Sequence, residues 1–134
     1  MPSVFTRIIN REIPGYIVAE NDHAIAFLDI NPLNEGHTLV VPKQEVDKLF
    51  DLDEDTYLKL QAFTYQVAQA IERAIPCLRV GVAVIGLEVP HAHIHLIPLH
   101  GMHDIDFSRP KLKLSSEQFE EIAVSIQTEF KHIT

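Results

Sequence analysis

The chain has 134 residues and a formal charge of −8, from 11 Lys plus Arg against 19 Asp plus Glu. That length fits one domain over residues 1–134, and 46% hydrophobic against 22% charged residues excludes a disordered chain and matches a soluble globular protein with one core. The acidic balance argues against non-specific binding to nucleic acid or an anionic membrane, no apolar run reaches the ~20 residues that span a bilayer, and the first residues lack the basic-then-apolar pattern of a secretory signal. A cytoplasmic location is expected. The lone Cys77 allows no internal disulfide, which suits a reducing compartment.

In chain order, Val4 to Asn10 reads as one or two helical turns. Pro14-Gly15 signals a turn. Tyr16 to Glu20 and Ala24 to Leu28, rich in β-formers and joined by Asn21-Asp22, read as a hairpin. Asp29 to Gly36 is a loop, and His37 to Val41 is a third strand stopped by Pro42. Asp53 to Ile75 is the clearest helix. Tyr57, Leu60, Phe63, Val67, Ala70, Ile71 and Ala74 share one face, acidic residues lie at its start, and Pro76 ends it. Val80 to Ile85 and His91 to Ile97 read as the fourth and fifth strands. Ser115 and Gln118 form a capping-box pattern ahead of a helix running to about Phe130, striped by Phe119, Ile122, Ile126 and Phe130. Strands gathered around one long helix predict an α+β domain with a five-stranded antiparallel sheet.

The segment His91-Ala92-His93-Ile94-His95-Leu96-Ile97 carries the chemistry. Side chains alternate faces on a strand, so Ala92, Ile94 and Leu96 face one side and the three imidazoles the other. Neighbouring histidines are then about 6.5–7 Å apart at Cα, and His91 and His95 about 13 Å. Three readings compete. A solvated face would scatter histidines rather than repeat them at period two. A metal could be shared by His93 with His91 or His95, its third ligand drawn from His37, His100 or His103. Nucleophilic attack on phosphorus suits the row best, because it needs a neutral imidazole in one tautomer, groups for the phosphate oxygens and a proton donor for the leaving group.

This segment matches the histidine triad pattern of the HIT superfamily. Arg11-Glu12-Ile13-Pro14, Ala26-Phe27-Leu28-Asp29-Ile30-Asn31-Pro32 and Gly36-His37-Thr38-Leu39-Val40-Val41-Pro42-Lys43 resemble, in order and spacing, the N-terminal motifs of its Hint branch. The resemblance covers residues 3 to about 98. It implies a HIT-like fold, a homodimer, and hydrolysis at the α-phosphate of purine nucleoside phosphoramidates or related nucleotide conjugates, with no cofactor. It implies that His93 is the nucleophile, its other ring nitrogen held by the carbonyl of His91. His95 would contact the phosphate and leaving group, and His37 would support the triad. Asp29 would hold the ribose hydroxyls, and Phe27, Ile30 and Ile13 the base. Phe27, Ile13 and Ile30 also suit plain core positions, and Asp29 suits a turn. The alternatives are a dinucleoside polyphosphate hydrolase, as in the Fhit branch, or a nucleotide-binding or sensing protein with little turnover.

Two departures stand out. Many bacterial relatives bind zinc through a Cys-x-x-Cys pair and two histidines. Those places hold Ser3, Thr6 and Glu45 here, and only His91 remains, so no structural zinc is expected. Before the triad, Val80 replaces an Asn, and Gly86-Leu87-Glu88 replaces a Gly-Gln-Ser or Gly-Gln-Thr. Glu88 repels phosphate unless it turns to solvent or meets a cationic leaving group.

Overall fold

The computed structural model describes residues 2–134. Helix α1 (Val4–Ile9) starts at Ser3, whose Oγ accepts the Thr6 N–H at 3.0 Å and caps an otherwise unpaired amide. Strands β1 (Ile17–Glu20) and β2 (Ala24–Leu28) pair antiparallel. Their turn forms because Asn21 Oδ1 accepts the amides of His23 and Ala24, at 2.8 and 2.9 Å. Strand β3 is Thr38–Pro42, α2 is Glu54–Ala74, β4 is Arg79–Ala83, β5 is Ile94–Leu99 and α3 is Ser116–Ile133. The capping box at Ser115 and Gln118 is made in both directions.

The sheet runs β1-β2-β3-β5-β4 with every pair antiparallel. One face packs on α2 and α3. Ala24, Ala26, Val40, Ala92, Ile94 and Leu96 meet Leu60, Phe63, Val67 and Ile71 of α2 and Phe119, Ile122 and Ile126 of α3. Each fully buried Leu, Ile or Phe contributes about 1.5–3 kcal/mol, so this layer holds the fold together. The other face carries a smaller cluster, in which Phe5 and Ile8 of α1 cover Ile25, Phe27, Leu39 and Val41. Cross-strand pairing puts Phe27 beside Leu39 and Leu39 beside His95 on that face. Among the described residues, no helix is long and apolar enough to cross a membrane.

The fifth strand differs from the sequence expectation. It begins at Ile94 rather than His91 and continues through Pro98 to Leu99. Pro90 offers no amide, the His91 N–H turns to the Val89 carbonyl at 2.8 Å, and the Ala92 N–H bonds to Val46 at 2.7 Å, outside the ladder. At the other end, β3 pairs only as far as Leu96, so Pro98 lies beyond the point where its missing amide would break that ladder. The alternation of faces survives the shift.

Candidate active site

A cavity of about 480 Å³ opens on the face covered by α1. Phe5, Ile8, Ile13, Phe27 and Leu39 make its apolar end, and His37, His93 and His95 its polar end. Asp29, Ile30 and Glu88 also line it. Of the residues to which the resemblance gives a catalytic or substrate-binding role, His91 alone does not line the cavity, and its carbonyl backs His93; His100 and His103, weighed as metal ligands, also lie outside it. Ile30 is 65% exposed and forms the open edge rather than a closed wall. Phe27 serves twice, as core beneath α1 and as cavity wall. Glu88 is exposed at the rim.

The imidazoles are buried, and their partners dictate their protons. His93 Nδ1 lies 2.7 Å from the His91 carbonyl. A carbonyl only accepts, so Nδ1 carries the hydrogen and Nε2 keeps a lone pair for the cavity. His37 Nδ1 accepts the Leu33 amide at 3.0 Å, so its hydrogen sits on Nε2. That Nε2 lies 3.0 Å from His95 Nδ1, which therefore accepts, and the remaining hydrogen of His95 is on its Nε2. A chain of two hydrogen bonds thus runs from a backbone amide through the His37 ring to the His95 ring. It leaves His95 as a donor, while the His91 carbonyl leaves His93 as a base, the two ring centres 5.0 Å apart.

Burial keeps His37 and His95 neutral. His37 is pushed down to about 3 by burial and then by His95, and His95 to about 4 by burial and then by His93. Asp29 is shifted up, chiefly by burial. One of its oxygens accepts the Asn31 amide at 2.8 Å and makes the turn, and the other stands 3.6 Å from His37 Nε2, too far for a hydrogen bond. Among the described residues, Asp29, His37 and His95 also form a trio of possible metal ligands, with their atoms within 4.8 Å of one another. The facing nitrogens of His37 and His95 are spent on each other, so a metal would have to break that bond.

His91 sits in a second cluster. Its Nε2–H donates to the Pro42 carbonyl at 2.8 Å, and the Ser3 hydroxyl donates to its Nδ1 at 2.7 Å. Glu45 Oε1 accepts the Ser3 amide at 2.7 Å and the Thr6 hydroxyl. Positions 3, 6, 45 and 91 therefore meet, where the resemblance implies zinc in many relatives. The donors do not suit it. Zinc takes thiolates, imidazoles and carboxylates, whereas two of these four are neutral hydroxyls, and the cluster already satisfies itself by hydrogen bonds.

Besides the α1 residues Phe5 and Ile8, sequence reasoning misses two cavity residues beside the histidines. Phe107 stands edge-on to His95, ring centres 4.8 Å apart, and Lys111 is the one Lys or Arg of the lining among the described residues. Both come from the stretch after β5. Asp104 folds that stretch by accepting the amides of His100 and Gly101 and the Arg109 guanidinium, and the Leu112 amide ties it to the Pro32 carbonyl at 2.8 Å. No periodicity marks these residues, and their only sequence signal is their place after the triad.

Comparison with known proteins gives one consistent answer. The family model described as HIT domain matches residues 10–102. A HIT-like protein of Borreliella burgdorferi is 36% identical over 131 residues, covering 92% of this chain and 94% of its own. An adenosine 5'-monophosphoramidase of Saccharomyces cerevisiae is 34% identical over 96 residues, 71% of this chain and 61% of its own. Among solved structures, a histidine triad nucleotide-binding protein of Sulfolobus tokodaii superposes with a TM-score of 0.82 at 30% identity, covering 96% of this chain and 91% of that one.

Proposed function

This chain belongs to the HIT family, and on that premise we propose that it is a nucleotide hydrolase that cleaves purine nucleoside phosphoramidates or related conjugates at the α-phosphate. The observation that carries the reading is the bond from His93 Nδ1 to the His91 carbonyl, which reserves Nε2 as a nucleophile. The yeast relative named as a phosphoramidase supports the substrate class.

In this reading the base enters the apolar end between Ile13 and Phe27, with Ile30 at its edge. The free oxygen of Asp29 takes a ribose hydroxyl. His93 Nε2 attacks phosphorus as the P–N bond breaks, and the departing amine nitrogen accepts a hydrogen bond from the Nε2–H of His95 while taking a proton from water. The phosphorylated His93 ring is a cation that faces the His91 carbonyl, and His37 holds His95 from behind. The hydroxide left from that water then adds its oxygen to phosphorus, and His93 leaves as a neutral imidazole. Each ring ends as it began.

A homodimer fits the same reading. Strand β4 is a sheet edge, and Leu78, Val82, Val84 and Ile85 along it are exposed apolar residues, which a second copy of the chain would cover.

The test is turnover of an adenosine phosphoramidate bearing a fluorescent amine, beside His93→Ala. Turnover by the native protein that disappears in the variant is expected. No turnover, with adenosine monophosphate still bound, would defeat the hydrolase reading and favour a nucleotide-sensing role.

A further inference from the structure

Outside the cavity, a hydrogen-bonded polar cluster surrounds His91, and its bonds lead to the His93 ring. We infer that Glu45 and Ser3 are positioning residues for His93, acting through both ends of the His91 residue; the inference rests on the hydrolase reading above.

The chain of causes runs one bond at a time. Glu45 Oε1 accepts two donors at once, the Ser3 amide and the Thr6 hydroxyl. Spending the Thr6 hydrogen on a carboxylate leaves Thr6 Oγ1 at 3.4 Å from His91 Nδ1, a poor competitor for that nitrogen. Ser3 Oγ accepts the Thr6 amide at 3.0 Å, and its single hydrogen goes to His91 Nδ1 at 2.7 Å in preference to Thr6 Oγ1 at 3.3 Å. The opposite nitrogen is held by the Pro42 carbonyl at 2.8 Å. A ring bonded at both nitrogens has one tautomer and one orientation.

The ring in turn holds its own backbone. The His91 carbonyl accepts from His93 Nδ1 at 2.7 Å, and that bond decides which nitrogen of His93 has the lone pair. A nucleophile needs its position held to about half an ångström, so slack at His91 reaches the reacting atom. The clasp joins three separate stretches of chain, the start of α1, the loop after β3 and the segment before β5. His91 is fully buried, while the Glu45 side chain is 37% exposed and does not line the cavity. Glu45 therefore influences the reaction without meeting substrate.

The experiment compares the native protein with Glu45→Ala, Glu45→Gln and Ser3→Ala. Steady-state hydrolysis of the fluorescent phosphoramidate is measured together with nitrogen NMR shifts of the His91 and His93 rings in the free protein. Both alanine variants should lower kcat by about tenfold and leave KM unchanged. In both, the His93 ring should spread over two tautomers. Glu45→Gln keeps the accepting oxygen and should restore kcat and the single tautomer. An unchanged kcat, or native ring shifts, in both alanine variants would overturn the inference. So would a fall in Glu45→Gln equal to that in Glu45→Ala, since charge rather than the accepting oxygen would then be at work. If Glu45→Ala does not fold, Ser3→Ala carries the same test. If the native protein turns over no phosphoramidate, the hydrolase reading fails while the ring shifts still decide the positioning role.

Discussion

Strand β5 and the residues leading into it present two faces only a side chain apart, and they are held in opposite ways. Ala92, Ile94 and Leu96 lie against the apolar side chains of α2 and α3. His91, His93 and His95 are nearly as buried, at 0%, 6% and 8% exposure, yet each ring has polar partners. Burying an imidazole without a partner costs free energy that an aliphatic chain never incurs. The apolar face thus tolerates any good packing, whereas the polar face permits one arrangement of hydrogens. Stability resides on one side of the strand and directional chemistry on the other.

The sharpest way to break this division is His95→Gln. It removes the donor that faces the leaving group and should lower kcat by about 10²–10⁴-fold while adenosine monophosphate still binds, as calorimetry would show. Leu96→Ala, one residue along on the opposite face, should instead cost about 2–5 kcal/mol in urea unfolding and leave kcat per folded molecule near native. A large fall in kcat for Leu96→Ala would erase the distinction between the faces.

Acidity separates the faces further. The folded values of about 3 for His37 and about 4 for His95 lie below the 6.5 of a free imidazole. Between those limits the unfolded chain binds protons that the folded one does not. The stability present above pH 6.5 should therefore fall as pH drops toward 4, by about 1.4 kcal/mol per pH unit for each proton withheld. Asp29, shifted upward, opposes this trend. Urea titrations from pH 7 to 4 would show the slope, and His37→Asn should reduce it. The smallest effect is expected at Phe107→Ala, where loss of the edge contact to His95 should raise KM about three- to tenfold. Steady-state kinetics would measure it.

Much of the fold was legible because periodicity reports which face is buried. The stripe of α2 and the period-two histidines both survive in the structure. The start of β5 was not legible, because the bond that draws Ala92 out of the ladder comes from Val46, far away in sequence. The same holds in the site. His37, Asp29, Phe27 and the triad announce themselves by motif, while Phe107 and Lys111 sit in an aperiodic stretch placed by Asp104. At positions 3, 6 and 45 the sequence shows only substitutions. The hydrogen-bonded cluster they make with His91 depends on three distant segments meeting, which no local pattern encodes.

The stretch that brings Phe107 and Lys111 over the histidines has a further consequence. It follows the residues matched by the family model, and it is pinned by its own Asp104 and by one amide to Pro32. The wall is thus anchored apart from the hydrogen bonds that set the ring protons. In such an arrangement the proton wiring and the wall above it are separable parts, and a change in one leaves the hydrogen bonds of the other in place.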